Sequence, residues 1–195
     1  MSKSDPDASK KERNKAIRWV IIIFFVTILV SGSISLVSDI IMGGSTILVA
    51  FLILLAIVLI GILFDIIGVA VTSADEKPFH SMAARKVPGA QESIRLLRNA
   101  ERVSSICNDV VGDICGVVSG SASATIAIQV ISNFDLSWPQ IISLAMSSLA
   151  AGLTVGGKAI GKTFAVNSCT EIVHGVGRFI YTLRHFPDLF RKKKK

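Results

Sequence analysis

Four apolar runs, at residues 17–42, 46–71, 106–131 and 141–166, constrain this chain more than any other feature. Each exceeds the roughly 20 residues that carry a helix across about 30 Å of hydrocarbon. A backbone in hydrocarbon must satisfy its own hydrogen bonds, so an unbroken apolar run of this length spans as a helix. The sequence therefore predicts an all-α membrane protein with about four transmembrane helices plus short amphipathic juxtamembrane helices. The charged fraction is only 18%, below the roughly 25% of an ordinary soluble domain.

The 21 Lys and Arg residues fall in three blocks: an arm from Lys3 to Arg18, a central segment from Lys77 to Arg102, and a last region from Lys158 to Lys195. None falls in the two turns that join the first run to the second and the third to the fourth. Basic residues concentrate on the cytoplasmic side of a membrane, so both termini are expected in the cytoplasm, in a multi-pass protein of the cell membrane. The net charge of +7 then reports topology. No zinc finger, helix-turn-helix or aromatic-basic surface accompanies it, so nucleic acid is not an expected partner. The bilayer is, and Lys192 to Lys195 should attract anionic lipid at roughly 1 kcal/mol each.

Along the chain, residues 1–16 read as a polar, basic, disordered cytosolic arm. The run at 17–42 begins with Trp19 at interface depth. It is longer than the roughly 7–15 apolar residues of a cleaved signal and lacks an A-x-A-like end, so it reads as an extra N-terminal transmembrane helix. Gly43-Gly44-Ser45 turns the chain into the second run, whose Ile, Leu and Val content points widely to lipid. Between runs two and three, residues 91–102 read as an amphipathic surface helix. Residues 168–185 read as a second one, followed by the basic tail 186–195.

Runs three and four are rich in Gly, Ser and Ala. Gly152/Gly156 and Gly157/Gly161 have the small-xxx-small spacing that lets helix backbones approach in lipid, which predicts that these two helices form the middle of the bundle. Ser31, Ser33, Ser35 and Ser38 read as a small-residue packing face. Cys107, Cys115 and Cys169 have no metal-ligand or disulfide spacing and read as packing residues. His80, His174 and His185 lie scattered in surface segments. No nucleophile–base pair, Walker loop or dinucleotide fingerprint is present, so catalysis is not expected.

Ionisable groups inside a span are costly and mark function by default. Here they are Asp65, Asp109, Asp113 and Lys158; Asp39 lies near the outer end of its helix. Antiparallel threading brings Asp65, Asp109, Asp113 and Lys158 to one depth on the cytoplasmic half, with Asp109 and Asp113 sharing a helix face and Asn108 adjacent. Two readings stand: a pocket of Asp65, Asn108, Asp109 and Asp113 whose oxygens strip water from a hard cation such as magnesium, with Lys158 tuning it, or an Asp–Lys network that fixes helix packing.

From residue 64 onward the motif order resembles the transmembrane domain of the CNNM/CorC/CorB family of magnesium and cobalt transport proteins. Where the family has an FSG-x-E-x-A-L-x-S-L pattern, this chain reads Phe64-Asp65-Ile66-Ile67-Gly68-Val69-Ala70-Val71-Thr72-Ser73-Ala74-Asp75. Its S-T-x-L-x-x-N helix start is matched loosely by Ser104-Ser105-Ile106-Cys107-Asn108, and in place of its G-E-I-x-P-K element stands Gly157-Lys158-Ala159-Ile160-Gly161-Lys162. The resemblance implies a transport domain over residues 46–185, a homodimer, and transported Mg²⁺ held at Asp65, Asn108 and Lys158. Of these, Asn108 matches the family residue; Asp65 stands for a Ser and Lys158 for a Glu, a swap that would let the two pair. The family's CBS-pair module has no counterpart in this sequence. The second expectation, from another class, is a non-transporting membrane interaction or scaffold protein on the same fold.

Overall fold

The computed structural model describes residues 6–134 and 138–191 of the 195. The chain is an all-α membrane protein: four helices are long and apolar enough to cross a bilayer, and the described residues contain no strand. α1 runs Pro6–Gly43, α2 Ile47–Ser73, α3 Lys77–Ala84, α4 Ala90–Arg98 and α5 Ala100–Ser105. A π-helical segment, Ile106–Gly112, joins α5 to α6 (Asp113–Phe134). α7 (Pro139–Asn167) and α8 (Cys169–Arg191) complete the fold.

The span ends lie within three residues of those of the apolar runs, except that the third is helical from Ala100. Two expectations about the ends are corrected. The arm read as disordered is helical from Pro6 onward, because its Lys, Glu, Arg and Ala are good helix formers continuing an existing helix. The surface helix at the far end likewise extends to Arg191 instead of stopping at 185. Lysines 192–195, expected to attract anionic lipid, lie outside the described residues, as do residues 1–5 and 135–137. The surface helix expected at 91–102 divides at Asn99 into α4 and α5, and α3 is an additional short helix started by Pro78 in its first turn.

The expected centre of the bundle is corrected in part: α6 lies in the middle as expected, in contact with α1, α2 and α7, but α7 does not. α2 packs against both α6 and α7, and its C-terminal end meets α5 and α8, whereas α7 buries few of its residues. Lipid is as apolar as Leu, so hydropathy does not decide which helix goes inside; close approach does. α2 supplies it with Ala50, Gly61, Gly68 and Ala70, all buried. A Cβ at Gly61 would sit 2.8 Å from Cys115 Cβ. Gly157 and Gly161 pack on Ile62 and Ile66 of α2, while Gly152 and Gly156 meet nothing within 4 Å. α1 attaches mainly to α6, through a hydrogen bond between Ser35 Oγ and Ser121 Oγ at 3.1 Å and one from Thr125 Oγ1 to Asp39 Oδ1 at 3.3 Å. Of the serine packing face expected from the sequence, Ser31, Ser35 and Ser38 are buried or half-buried, whereas Ser33 is exposed and donates to the Leu29 carbonyl of its own helix.

Two apolar cores result. One, toward the α1–α2 turn, gathers Met42, Leu54, Val58, Ala122 and Ile126. The other, at the opposite end, gathers Val71, Phe79, Leu97, Ala165 and Val173 under the short helices. Ser93 donates to the carbonyls of Gly89 and Val173, both at 3.1 Å, which seats α4 on α8. Gly89 makes this contact possible: its φ is +89°, and a Cβ there would lie 2.6 Å from Arg178 Cα. Gly89→Ala is expected to loosen α8 by about 2 kcal/mol, from strain alone. Faster amide exchange over α8 in detergent would report it, with Gly175→Ala, open on all sides, as the silent control.

Candidate functional site

Between the two cores lies a polar layer built from α2, the π-helical segment and α7. Asp65 is almost fully buried, its side chain 5% exposed. Lys158 on α7 places Nζ 4.0 Å from Asp65 Oδ1 and donates to the carbonyl oxygen of Gly112 at 3.3 Å. One turn along α2, the amide of Asn108 lies directly over Gly68, where a Cβ would run into its Oδ1. Asn108 Nδ2 donates to Ser104 Oγ at 3.2 Å. Asp65 Oδ2 and Asn108 Oδ1 are buried acceptors with no donor.

The π-helical turn makes this arrangement. Cys107 and Gly112 are both buried although five residues apart, a spacing that an α-helix sends to faces about 140° apart. The wider turn brings Cys107 onto the face of Gly112, which at a spacing of four already carries Asn108 toward α2. Such insertions collect at functional positions.

Asp65, Asn108 and Lys158 thus come together as expected, but Asp109 and Asp113 do not join them. Those two share a face, as their spacing implies, yet it is the exposed face of the helix, away from α2. With Asn108 turned inward, its neighbour must point elsewhere. Among the described residues, no group of three or more His, Cys, Asp and Glu side chains is placed to hold a metal ion. The four-residue pocket is therefore reduced to Asp65 and Asn108, with Lys158 beside them. Exposure of Asp109 and Asp113 carries its own cost, about 2.5–3.5 kcal/mol for a carboxylate at the centre of a spanning helix.

The positions that sequence reasoning missed are Gly68, Gly112 and Ser104, which contribute space, a carbonyl and a hydroxyl. The inward spacing of five between Cys107 and Gly112 is the signal that bears on them. Of the histidines, His80 contacts Glu76 at 3.3 Å and His185 contacts the Tyr181 carbonyl at 3.0 Å, both exposed. His174 departs from the expected solvated state, with Nε2 buried and unpartnered. The thiols of Cys107, Cys115 and Cys169 are free, and Cys107 is buried.

Comparison of the chain with protein-family models, curated proteins and solved structures gives no match.

Proposed function

We propose that the protein carries a divalent cation, Mg²⁺ or a similar hard ion, across the cell membrane, with both termini cytoplasmic. The observation that carries this reading is the pair of buried oxygen acceptors without donors, Asp65 Oδ2 on α2 and Asn108 Oδ1, which lies over Gly68 one turn along α2. Buried acceptors without partners are rare and costly, and oxygen donors suit a hard cation. Lys158 is a tethered cation at the same place. An arriving ion displaces its ammonium from Asp65 toward the Gly112 carbonyl, which already accepts it.

A second reading has its own support. Lys158 already supplies the positive charge that Asp65 needs, which suits a non-transporting interaction or scaffold protein whose Asp–Lys contact fixes the helices.

Mg²⁺ flux into proteoliposomes separates the two. Transport is expected for the natural chain and should fall at least about tenfold in Asn108→Leu, equivalent to about 1.4 kcal/mol of lost ion stabilisation. A correctly folded natural chain without flux, with flux appearing only in Lys158→Glu, would overturn the transport reading in favour of the scaffold.

A further inference from the structure

We infer that the chain holds a hard monovalent cation, Na⁺ in charge and size, between α1 and α6 at the end of the bundle that carries the α1–α2 turn. Its ligands are oxygens of Asp39, Thr125 and Gln129. This site lies apart from the polar layer and does not depend on what that layer carries.

Three successive turns of α6 present Ser121, Thr125 and Gln129 to α1, four residues apart and so on one face. Each meets a group at matching height on α1. Ser121 Oγ lies 3.1 Å from Ser35 Oγ, Thr125 Oγ1 lies 3.3 Å from Asp39 Oδ1, and Gln129 Nε2 donates to the Met42 carbonyl at 2.6 Å. Polar contacts of this kind hold helices together in lipid, but these do not close. The Thr125 hydroxyl has one hydrogen and two acceptors at 3.3 Å, Asp39 Oδ1 and the Ser121 carbonyl. The Met42 carbonyl fixes the Gln129 amide, since the reversed amide would set two acceptors against each other. Gln129 Oε1 is thereby left buried and without a donor. Buried acceptors in that state are rare and point to a partner from outside the chain.

Charge identifies the partner. The sequence has no Lys or Arg between residues 19 and 76 or between 103 and 157, so no base stands at this end of α1, α2, α6 or α7. Lys158 contacts Gly112, about 20 Å down α6 from Thr125. Among the described residues Asp39 has no ion-pair partner. Whatever cation pairs with it comes from solution, and Asp39 lies only about 6 Å from the end of α1. One carboxylate among neutral oxygens balances a single positive charge. A divalent ion would leave a net charge beside the apolar core of Met42 and Ile126, which is costly within a span. Na⁺ is close to Ca²⁺ in radius and shares its oxygen distances of about 2.3–2.6 Å, which set neighbouring oxygens of an octahedral shell about 3.4 Å apart. Thr125 Oγ1 and Asp39 Oδ1, 3.3 Å apart, have that spacing once the hydroxyl hydrogen turns to the Ser121 carbonyl.

The test measures binding of radioactive Na⁺ to the purified full-length chain in detergent, with choline holding ionic strength constant. Saturable binding is expected for the natural chain and is expected to be lost in Asp39→Asn. Thr125→Val and Gln129→Met should each weaken it at least about tenfold, whereas Asp109→Asn, which removes an exposed carboxylate elsewhere, should leave it unchanged. Helix content and elution volume qualify each variant, and if Asp39→Asn does not fold, the other two decide. The natural chain should also unfold at a higher temperature in Na⁺ than in choline, a gain lost in Thr125→Val. A ladder that only ties α1 to α6 unfolds alike in both salts, and that result would overturn the inference. So would the absence of saturable binding, binding unchanged in both Thr125→Val and Gln129→Met, or displacement by Ca²⁺ at lower concentration than by Na⁺.

Discussion

Lys158→Met is expected to destabilise the protein by about 3 kcal/mol, among the largest effects of any single substitution in the bundle. The magnitude is that of breaking a buried ion pair by removing one partner, roughly 3–5 kcal/mol. Asp65 is 5% exposed, Oδ2 has no donor, and Oδ1 has only the ammonium at 4.0 Å. Without Lys158 the carboxylate remains between two apolar cores with no counter-charge, and the Gly112 carbonyl loses its donor as well. Removing both charges is a different change. A well-packed apolar pair in place of a buried ion pair is often neutral or stabilising, so Asp65→Leu combined with Lys158→Met should recover most of the loss. Thermal unfolding in detergent of the two single variants and the double variant measures the coupling directly. If the double variant is as unstable as the sum of the singles, the 4.0 Å contact contributes nothing and the layer is held by packing alone.

Much of this architecture was readable because the bilayer leaves few choices. Run lengths fixed the four spans, and the small residues at Gly157 and Gly161 correctly marked a helix contact. The same logic failed for Gly152 and Gly156, since spacing shows which face is small and not whether a neighbour covers it. The greasy look of α2 misled for a related reason: a helix can present Leu to lipid on one side and Gly61 and Gly68 to its neighbours on the other. The convergence of Asp65, Asn108 and Lys158 was legible from depth along the helices. The exclusion of Asp109 and Asp113 was not, because depth says nothing of direction around a helix. Direction here depends on one π-helical turn, which no propensity in Ile106–Gly112 announces.

That turn supplies the other prediction with a large effect. Inserting an alanine after Val111 should exceed what the wide turn absorbs, since Ile106–Gly112 already accommodates one extra residue. A second extra residue turns everything before it by about 100° relative to α6, with a shift of about 1.5 Å. α6 is tied down on both sides, by Cys115 against Gly61 and by Ser121 and Thr125 against α1. The rotation therefore falls on the segment from Ala100 to Val111. Asn108 leaves its place over Gly68, and Cys107, 7% exposed in the natural chain, swings out of the interior. Labelling of Cys107 by a membrane-permeant thiol reagent, with Cys115 and Cys169 replaced by Ser, should rise at least about tenfold, the equivalent of about 1.4 kcal/mol in the opening equilibrium. The four spans should survive, since their apolar lengths are barely altered, so helix content stays near that of the natural chain. A Cys107 that remains as protected as before would mean that the wide turn takes up the second residue as well. In that case the packing of Asn108 on Gly68 is strong enough to impose a wider turn on whatever sequence lies between. A rise in labelling assigns the cause the other way, with a turn that admits one extra residue and so holds Cys107 on the inward face with Gly112.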